Sequence, residues 1–315
     1  RYMDSLTKNS DGFKPSDIER SCVKLSGLFH DLGHGPFSHI FDHMFGDSKI
    51  YNHENRSRDI VEYIFKEVGT TKCHKSAYII DMVKEMIEPS DEYNTIPLYN
   101  IVNNGISKID LDKFDYLARD SAHIGLTNNF DYNRIFIKSK ISRGEIIYDY
   151  SILNNILELF TTRYRFHQEI YNHTTVKVIE IMLKDALIAA DSVYNFREGC
   201  NSEKFITLDD GIYASILNSD NKDLKKSKDI LERIERRDLY NVIWSGSEEA
   251  CDLDKYEDMN IIEMKFNLCN GSKHPLEKVK FIKQDIIKYG IEYDINLLYP
   301  DKYENKSIII YENNK

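Results

Sequence analysis

A mainly α fold, with a small α+β lobe at its C-terminal end, is predicted by three observations. Helix-period apolar spacing with capping signals fills most of residues 16–195. Alternating β-branched runs concentrate after Gly199, and no apolar run approaches the ~18 residues that a membrane span needs. Hydrophobic residues at 41% and charged residues at 30% of 315 allow a sizeable globular core. The change of character places a helical domain at 1–195 and the α+β lobe at 196–315.

Taken in order, Pro15-Ser16-Asp17-Ile18-Glu19 is a capping box, in which hydroxyl and carboxylate each satisfy an orphan backbone donor. Ile18, Cys22, Leu25, Leu28 and Phe29 follow at helical spacing up to His30-Asp31. Further helices are expected over Pro36–Phe45, His53–Val68, Lys75–Ile87 and Asp110–His123, then one long helix from Ser151 to Tyr194. Ile135–Lys138 and Ile146–Tyr148 flank Ser142-Arg143-Gly144-Glu145 as the strands of a hairpin. In the lobe, helices near Asp209–Leu217 and Asp223–Arg236 precede strands at Ile261–Leu268, Val279–Ile282 and Ser307–Tyr311.

The net charge of −10 argues against broad binding to a phosphate backbone and makes nucleic acid the weaker partner. A small phosphate substrate stays open, because a local Arg/Lys cluster works inside an acidic shell. Five scattered cysteines without a CxxC pair read as reduced thiols of an intracellular, cytoplasmic or nuclear protein, not as a disulfide frame or a cysteine zinc site. The chain opens at Arg1-Tyr2 without Met, and a segment upstream is expected.

The chemistry concentrates in His30-Asp31-Leu32-Gly33-His34-Gly35-Pro36-Phe37-Ser38-His39. An adjacent imidazole and carboxylate offer one nitrogen and one oxygen to a divalent cation such as Mn, Fe, Zn or Mg. The glycines let successive polar side chains face one point. A bare His-Asp pair would be an ordinary helix end bonded locally; the ten-residue string is far more specific. In the second stretch, Asp112, Tyr116, Arg119, Asp120 and His123 share one helix face. A solvated face accounts for Asp110 and Asp115, while the Tyr–Arg–Asp–His face suits a polar pocket wall. In the third, Arg163, His167 and Tyr171 are spaced i, i+4, i+8, and Arg can clamp phosphate bidentately. Alone, that stretch is an amphipathic helix. His53-Glu54 opens a helix and, beside the first motif, supplies a candidate general acid with a carboxylate neighbour.

Leu28–His39, Asp110–Asp120, Asn128–Tyr132 and Arg163–His173 together resemble the HD-domain deoxynucleoside triphosphate triphosphohydrolases, closest to the dGTP-activated type that carries a sterile alpha motif domain. The resemblance covers most of 16–195 and, more faintly, the lobe. It implies an HD-domain helical core that hydrolyses dNTPs to deoxynucleoside and inorganic triphosphate with a divalent metal. By resemblance, His30, Asp31 and Asp112 are metal ligands, with a fourth, a His, expected on a helix before residue 1. His34 contacts the phosphates, His39 lies near the scissile one, and His53 is the general acid supported by Asp42 and Glu54. Lys113 and Arg163 grip the triphosphate, Tyr116 and Asp120 meet the sugar 3′-hydroxyl, Tyr171 packs on the sugar, and His167 and Asn172 complete the substrate wall.

Asn172 stands where the family has Gln, and Asp149 and Ser151 stand where the activated member has basic residues for an allosteric nucleotide. Arg134 matches one allosteric arginine. Catalysis therefore carries over better than nucleotide activation or assembly into a dimer or tetramer. The rival readings are another HD phosphohydrolase (a 5′-nucleotidase or phosphodiesterase) and a catalytically inactive nucleotide-binding protein.

Overall fold

The computed structural model describes residues 1–44, 52–69, 76–196, 203–256, 259–267, 274–292 and 304–313. The chain forms two compact units interleaved in sequence: Arg1–His30, Val61–Phe166 and Asn267–Glu304 build the first, and Asp31–Ile60, His167–Phe266 and Asn305–Lys315 the second.

In the first unit, helices α1 (Tyr2–Asn9) and α2 (Asp17–Phe29) lead the chain. The capping box forms as expected: Glu19 N–H donates to Ser16 Oγ at 3.3 Å and Ser16 N–H to Glu19 Oε2 at 2.6 Å. Cys22, Val23 and Ser26 are the buried stripe of α2, and Ser26 Oγ donates across to the Val83 carbonyl of α5 (Ser76–Ile87) at 3.2 Å. Leu28, expected in that stripe, is 69% exposed. Helix α4 (His53–Glu67) starts in the second unit and ends in the first.

Helix α6 (Leu111–Ile124) is capped by Asp110, and α7 (Tyr132–Ile137) by Asp131. Ile135–Lys138 was expected as a strand; the Asp131 carboxylate accepts from Arg134 N–H at 3.1 Å and starts a helix there instead. The hairpin lies one step later, β1 (Ser139–Ser142) against β2 (Glu145–Asp149). Its tip, Arg143-Gly144, has both residues at positive φ, the backbone a tight hairpin needs. β2 continues in parallel to β5 (Lys280–Lys283), which pairs antiparallel with β6 (Ile286–Tyr289) in the order β1-β2-β5-β6. Tyr2 stacks on Phe136 at 4.7 Å, and its hydroxyl meets that of Tyr148 at 3.4 Å; both phenols are buried.

The long helix expected from Ser151 to Tyr194 is four elements, the first a 3-10 turn at Tyr150–Ile152. α8 (Leu153–Phe166) closes the second stretch of the first unit, a π turn (His167–Tyr171) follows, and α9 (Thr174–Tyr194) restarts after His173, whose Nδ1 accepts from Thr175 N–H. In the second unit α9 shares a core with α10 (Ile212–Leu217) and α11 (Lys225–Glu235), built on Met182, Ala186, Ala190, Ile216 and Leu231. The short α3 (His39–His43) adds Phe41 to that core; the helix expected from Pro36 begins only at His39, and Phe45 lies outside the described residues. A three-stranded sheet, ordered β3 (Asn241–Ser247), β7 (Glu304–Glu312), β4 (Asn260–Asn267), lies almost wholly in the same unit. No described helix is long and apolar enough to cross a membrane. Among the described residues Cys22 and Cys251 are free thiols.

Candidate active site

In the second unit, the turn after α2 is held by backbone bonds from His34 N–H to the Asp31 carbonyl (3.1 Å) and from Ser38 N–H to the Gly35 carbonyl (2.9 Å). Phe37 and Ser38 both take positive φ, 60° and 54°, a costly backbone for side-chain-bearing residues. Phe37 N–H donates to Asp210 Oδ1 at 2.7 Å, which helps hold that conformation. Gly33 packs its backbone on the start of α4: a Cβ there would lie 2.0 Å from the His53 carbonyl oxygen and 2.4 Å from Ser57 N. At Gly35 a Cβ would lie 2.4 Å from the Phe41 ring. Gly33 thus seats the start of α4, and with it His53, against the motif, while Gly35 makes room for the Phe41 ring.

The result is a cluster of three imidazoles. His34 and His53 stack at 3.9 Å with 14° between planes; His39 meets His34 edge-on at 4.8 Å and His53 at 5.3 Å. His53 Nδ1 lies 3.0 Å from Asp42 Oδ2 and Nε2 lies 3.4 Å from Glu54 Oε1; His34 Nε2 lies 3.7 Å from Asp31 Oδ1. Ligand-type atoms of His34, His39, Asp42 and His53 all lie within 4.8 Å of one another, a group that could hold a cation.

Electrostatics divides their roles. Burial, reinforced by His53 and His39, pushes His34 down to about 3, so it is a neutral ring. His39 is lowered by burial and by His53. Burial works against charge on His53 as well, but the Asp42 hydrogen bond and the carboxylates of Glu54, Asp42 and Asp31 outweigh it and raise its pKa. Asp42 is held low: burial opposes its charge, and the bonds from His53 and Arg56 overcome that. A cationic imidazole on a carboxylate beside two neutral imidazoles is suited to donating a proton. His34 Nδ1 is buried with no hydrogen-bond partner among the described residues, an orphan that a phosphate oxygen or water would satisfy.

In the first unit, His30 caps the C-terminus of α2, and its Nδ1 lies 3.0 Å from the Gly27 carbonyl. A carbonyl can only accept, so Nδ1 carries the proton and Nε2 presents its lone pair. Nε2 lies 3.5 Å from Asp112 Oδ1. Nitrogen and oxygen at that separation fit two ligands of one cation with bonds of about 2.0–2.2 Å. Asp31 is the next residue in the chain and begins the second unit.

Asp110, 1% exposed, accepts from Asn104 N–H and Lys113 N–H, both at 3.1 Å. The Lys113 ammonium sits on the same carboxylate at 3.0 and 3.2 Å. The expected phosphate-gripping lysine is thus directed at a buried partner. Tyr116 hydrogen-bonds Arg163, and burial raises its phenol strongly. Asp120 is half-buried with Arg119 Nε at 3.7 Å. Arg119 and His123, read as part of the same face, are solvent-exposed; Arg119 pairs with Asp115 at 2.6 Å.

In the π turn of the second unit, the His167 and Tyr171 rings meet edge-on at 5.1 Å. The Asn172 amide Nδ2 donates to the His167 carbonyl at 2.7 Å, so its nitrogen serves the turn. Sequence reasoning missed Arg56, Ser57 and Asp210. Gly33 N–H donates to Ser57 Oγ at 2.8 Å, and nothing in the local pattern distinguishes these residues from solvated ones.

Residues 3–120 match the HD domain and residues 130–268 match the HD associated region. The N-terminal part of this chain is similar to the HD domain. The chain is 30% identical over 304 residues to the deoxynucleoside triphosphate triphosphohydrolase SAMHD1 homolog of Dictyostelium discoideum, covering 89% of this chain and 59% of that protein. It is 30% identical over 286 residues to SAMHD1 of Homo sapiens, covering 77% and 46%. A putative HD domain-containing protein, L394 of Acanthamoeba polyphaga mimivirus, is 35% identical over 203 residues, covering 63% and 44%. The chain spans about half the length of the curated relatives it matches. Both His/Asp groups fall within the matched HD domain.

Proposed function

We propose that this HD domain, loaded with a divalent cation, hydrolyses deoxynucleoside triphosphates to deoxynucleoside and inorganic triphosphate. The observation that carries the reading is the geometry of His53, which lies 3.0 Å from Asp42 and 3.4 Å from Glu54 and stacks on His34 of the HD motif; the two carboxylates raise its pKa, while burial lowers that of His34. His30, Asp31 and Asp112 hold the cation, which is Mn, Fe, Zn or Mg. A cation bound there supplies Lewis acidity toward a phosphoryl oxygen.

The chain's own groups do the rest. His53 gives its proton to the leaving 5′-oxygen. His34, with its unsatisfied nitrogen, contacts the phosphates and His39 borders the scissile one. Arg163, oriented by Tyr116, presents its planar donors to phosphate oxygens, and Lys113 adds charge that it shares with Asp110. Tyr116 and Asp120 meet the 3′-hydroxyl, and Tyr171 with His167 and Asn172 walls the sugar. Residues 1–195 form the catalytic domain and 196–315 the lobe. Kinship to the dGTP-activated type with a sterile alpha motif domain brings in an allosteric nucleotide, a homo-oligomer and a cytoplasmic or nuclear setting as further parts of the proposal.

The test is a side-by-side assay of dATP, dGTP, dCMP and a cyclic dinucleotide with Mn²⁺. Triphosphate and deoxynucleoside from the dNTPs are expected. Hydrolysis of dCMP or the cyclic dinucleotide alone would transfer the chain to the other phosphohydrolases. His30→Ala with Asp31→Ala is expected to lose bound metal and hydrolysis while keeping its circular dichroism; triphosphate release at the wild-type rate would remove those residues from the site.

A further inference from the structure

Arg56, on the first turn of α4, is only 2% exposed and heads the fully buried side chains in size. A buried guanidinium is tolerated only when its donors and charge are matched. Here Nη2 donates to Asp42 Oδ1, and Nε donates to the Gly33 carbonyl at 2.7 Å. The Phe41 and Phe205 rings flank the group at 5.6 and 5.1 Å. The other Asp42 oxygen meets His53 Nδ1 at 3.0 Å. Gly33, Arg56, Asp42 and His53 thus form one continuous chain of hydrogen bonds, from the backbone of the HD turn to the imidazole.

We infer that Arg56 is a positioning residue for His53: its fork holds the Asp42 carboxylate in the orientation that grips the imidazole and locks that pair to the turn carrying His34. The inference rests on the proposed role of His53 as proton donor. Nε and Nη2 belong to one rigid planar group, which serves the Gly33 carbonyl and the Asp42 carboxylate together; a lysine ammonium at the end of a flexible stem cannot fix both partners in the same way. Phe205 extends the argument. It comes from the HD associated region and forms one wall of the cradle, giving that region a part in aligning the site.

The experiment compares full-length Arg56→Lys and Phe205→Leu with wild type, loaded with Mn²⁺ and assayed with dATP. Both are expected to lose roughly tenfold or more in kcat, with KM within about twofold and bound metal unchanged. Nitrogen-15 histidine NMR of the same proteins loaded with diamagnetic Mg²⁺ supplies a readout independent of turnover. The wild-type His53 Nδ1–H resonance should be sharp and protected, and broadened or lost in both variants. If wild type hydrolyses no dNTP, the proton-donor role falls, while the spectrum still decides whether Arg56 positions His53. Should Arg56→Lys fail to fold, Phe205→Leu carries the test alone. Wild-type kcat together with a wild-type His53 resonance in the folded variants overturns the inference.

Discussion

Protonation at His53 is set by a balance between burial, which favours the neutral ring, and the Asp42, Glu54 and Asp31 carboxylates, which favour the cation. The carboxylates win, so the folded pKa lies above 6.5. The sign follows directly: the stability that His53 contributes is complete below pH 6.5 and is lost as pH rises through the folded value. Turnover that needs a proton from His53 should fall along the same limb. His53→Gln is therefore expected to lose roughly 10²–10⁴ in kcat and to abolish that alkaline limb. A pH–rate profile of the two proteins checks both points, and an unchanged limb in the variant would assign it to another group. At this scale the imidazoles were legible, because His30, His34 and His39 crowd one short string and His53 precedes a glutamate. Arg56 was not. An arginine early in an amphipathic helix reads as solvated, and the Phe41 and Phe205 rings that flank it come from outside that helix.

Between elements, the decisive contact is the turn of the HD motif against α4. With no Cβ at Gly33, the backbone accepts the His53 carbonyl and the Ser57 hydroxyl at close range. Gly33→Ala forces the first turn of α4 outward, since its Cβ would meet backbone and not a flexible side chain. The expected outcome is a loss of about 1–3 kcal/mol in stability, with a larger loss of kcat than of substrate affinity. Urea unfolding and steady-state kinetics measure the two, and wild-type values in both would exclude the contact as a determinant. Capping chemistry made several elements readable: Ser16 and Glu19 start α2, and Asp110 starts α6. The same chemistry explains one failure. A β-branched run at 135–138 reads as strand, yet Asp131 upstream captures the Arg134 amide and winds it into α7. The break between α8 and α9 was hidden for another reason. Apolar spacing runs through both helices, and the extra residue of the π turn, closed by Asn172 N–H on the His167 carbonyl, leaves no compositional mark.

Over the whole chain, buried phenols set the alkaline limit of stability. Burial pushes Tyr2 up to about 12 and raises its partner Tyr148 well above the usual value. The unfolded chain releases those protons near pH 10 while the folded one keeps them, so stability is full below pH 10 and declines from there toward pH 12. Each such phenol removes about 1.4 kcal/mol per pH unit in that window. Tyr2→Phe should flatten the fall between pH 10 and 11 by about one proton in urea titrations; an identical slope would place the effect elsewhere.

The tie from Phe37 N–H to Asp210 carries a consequence for anyone who trims this protein. Asp210 and Phe205 belong to the stretch matched as the HD associated region, yet they brace a bend and a cation that lie some 150 residues earlier. A fragment stopping at residue 120 would keep every imidazole of the motif and forfeit their scaffolding. The two sequence families meet in one mechanical part, and neither half is a self-sufficient tool.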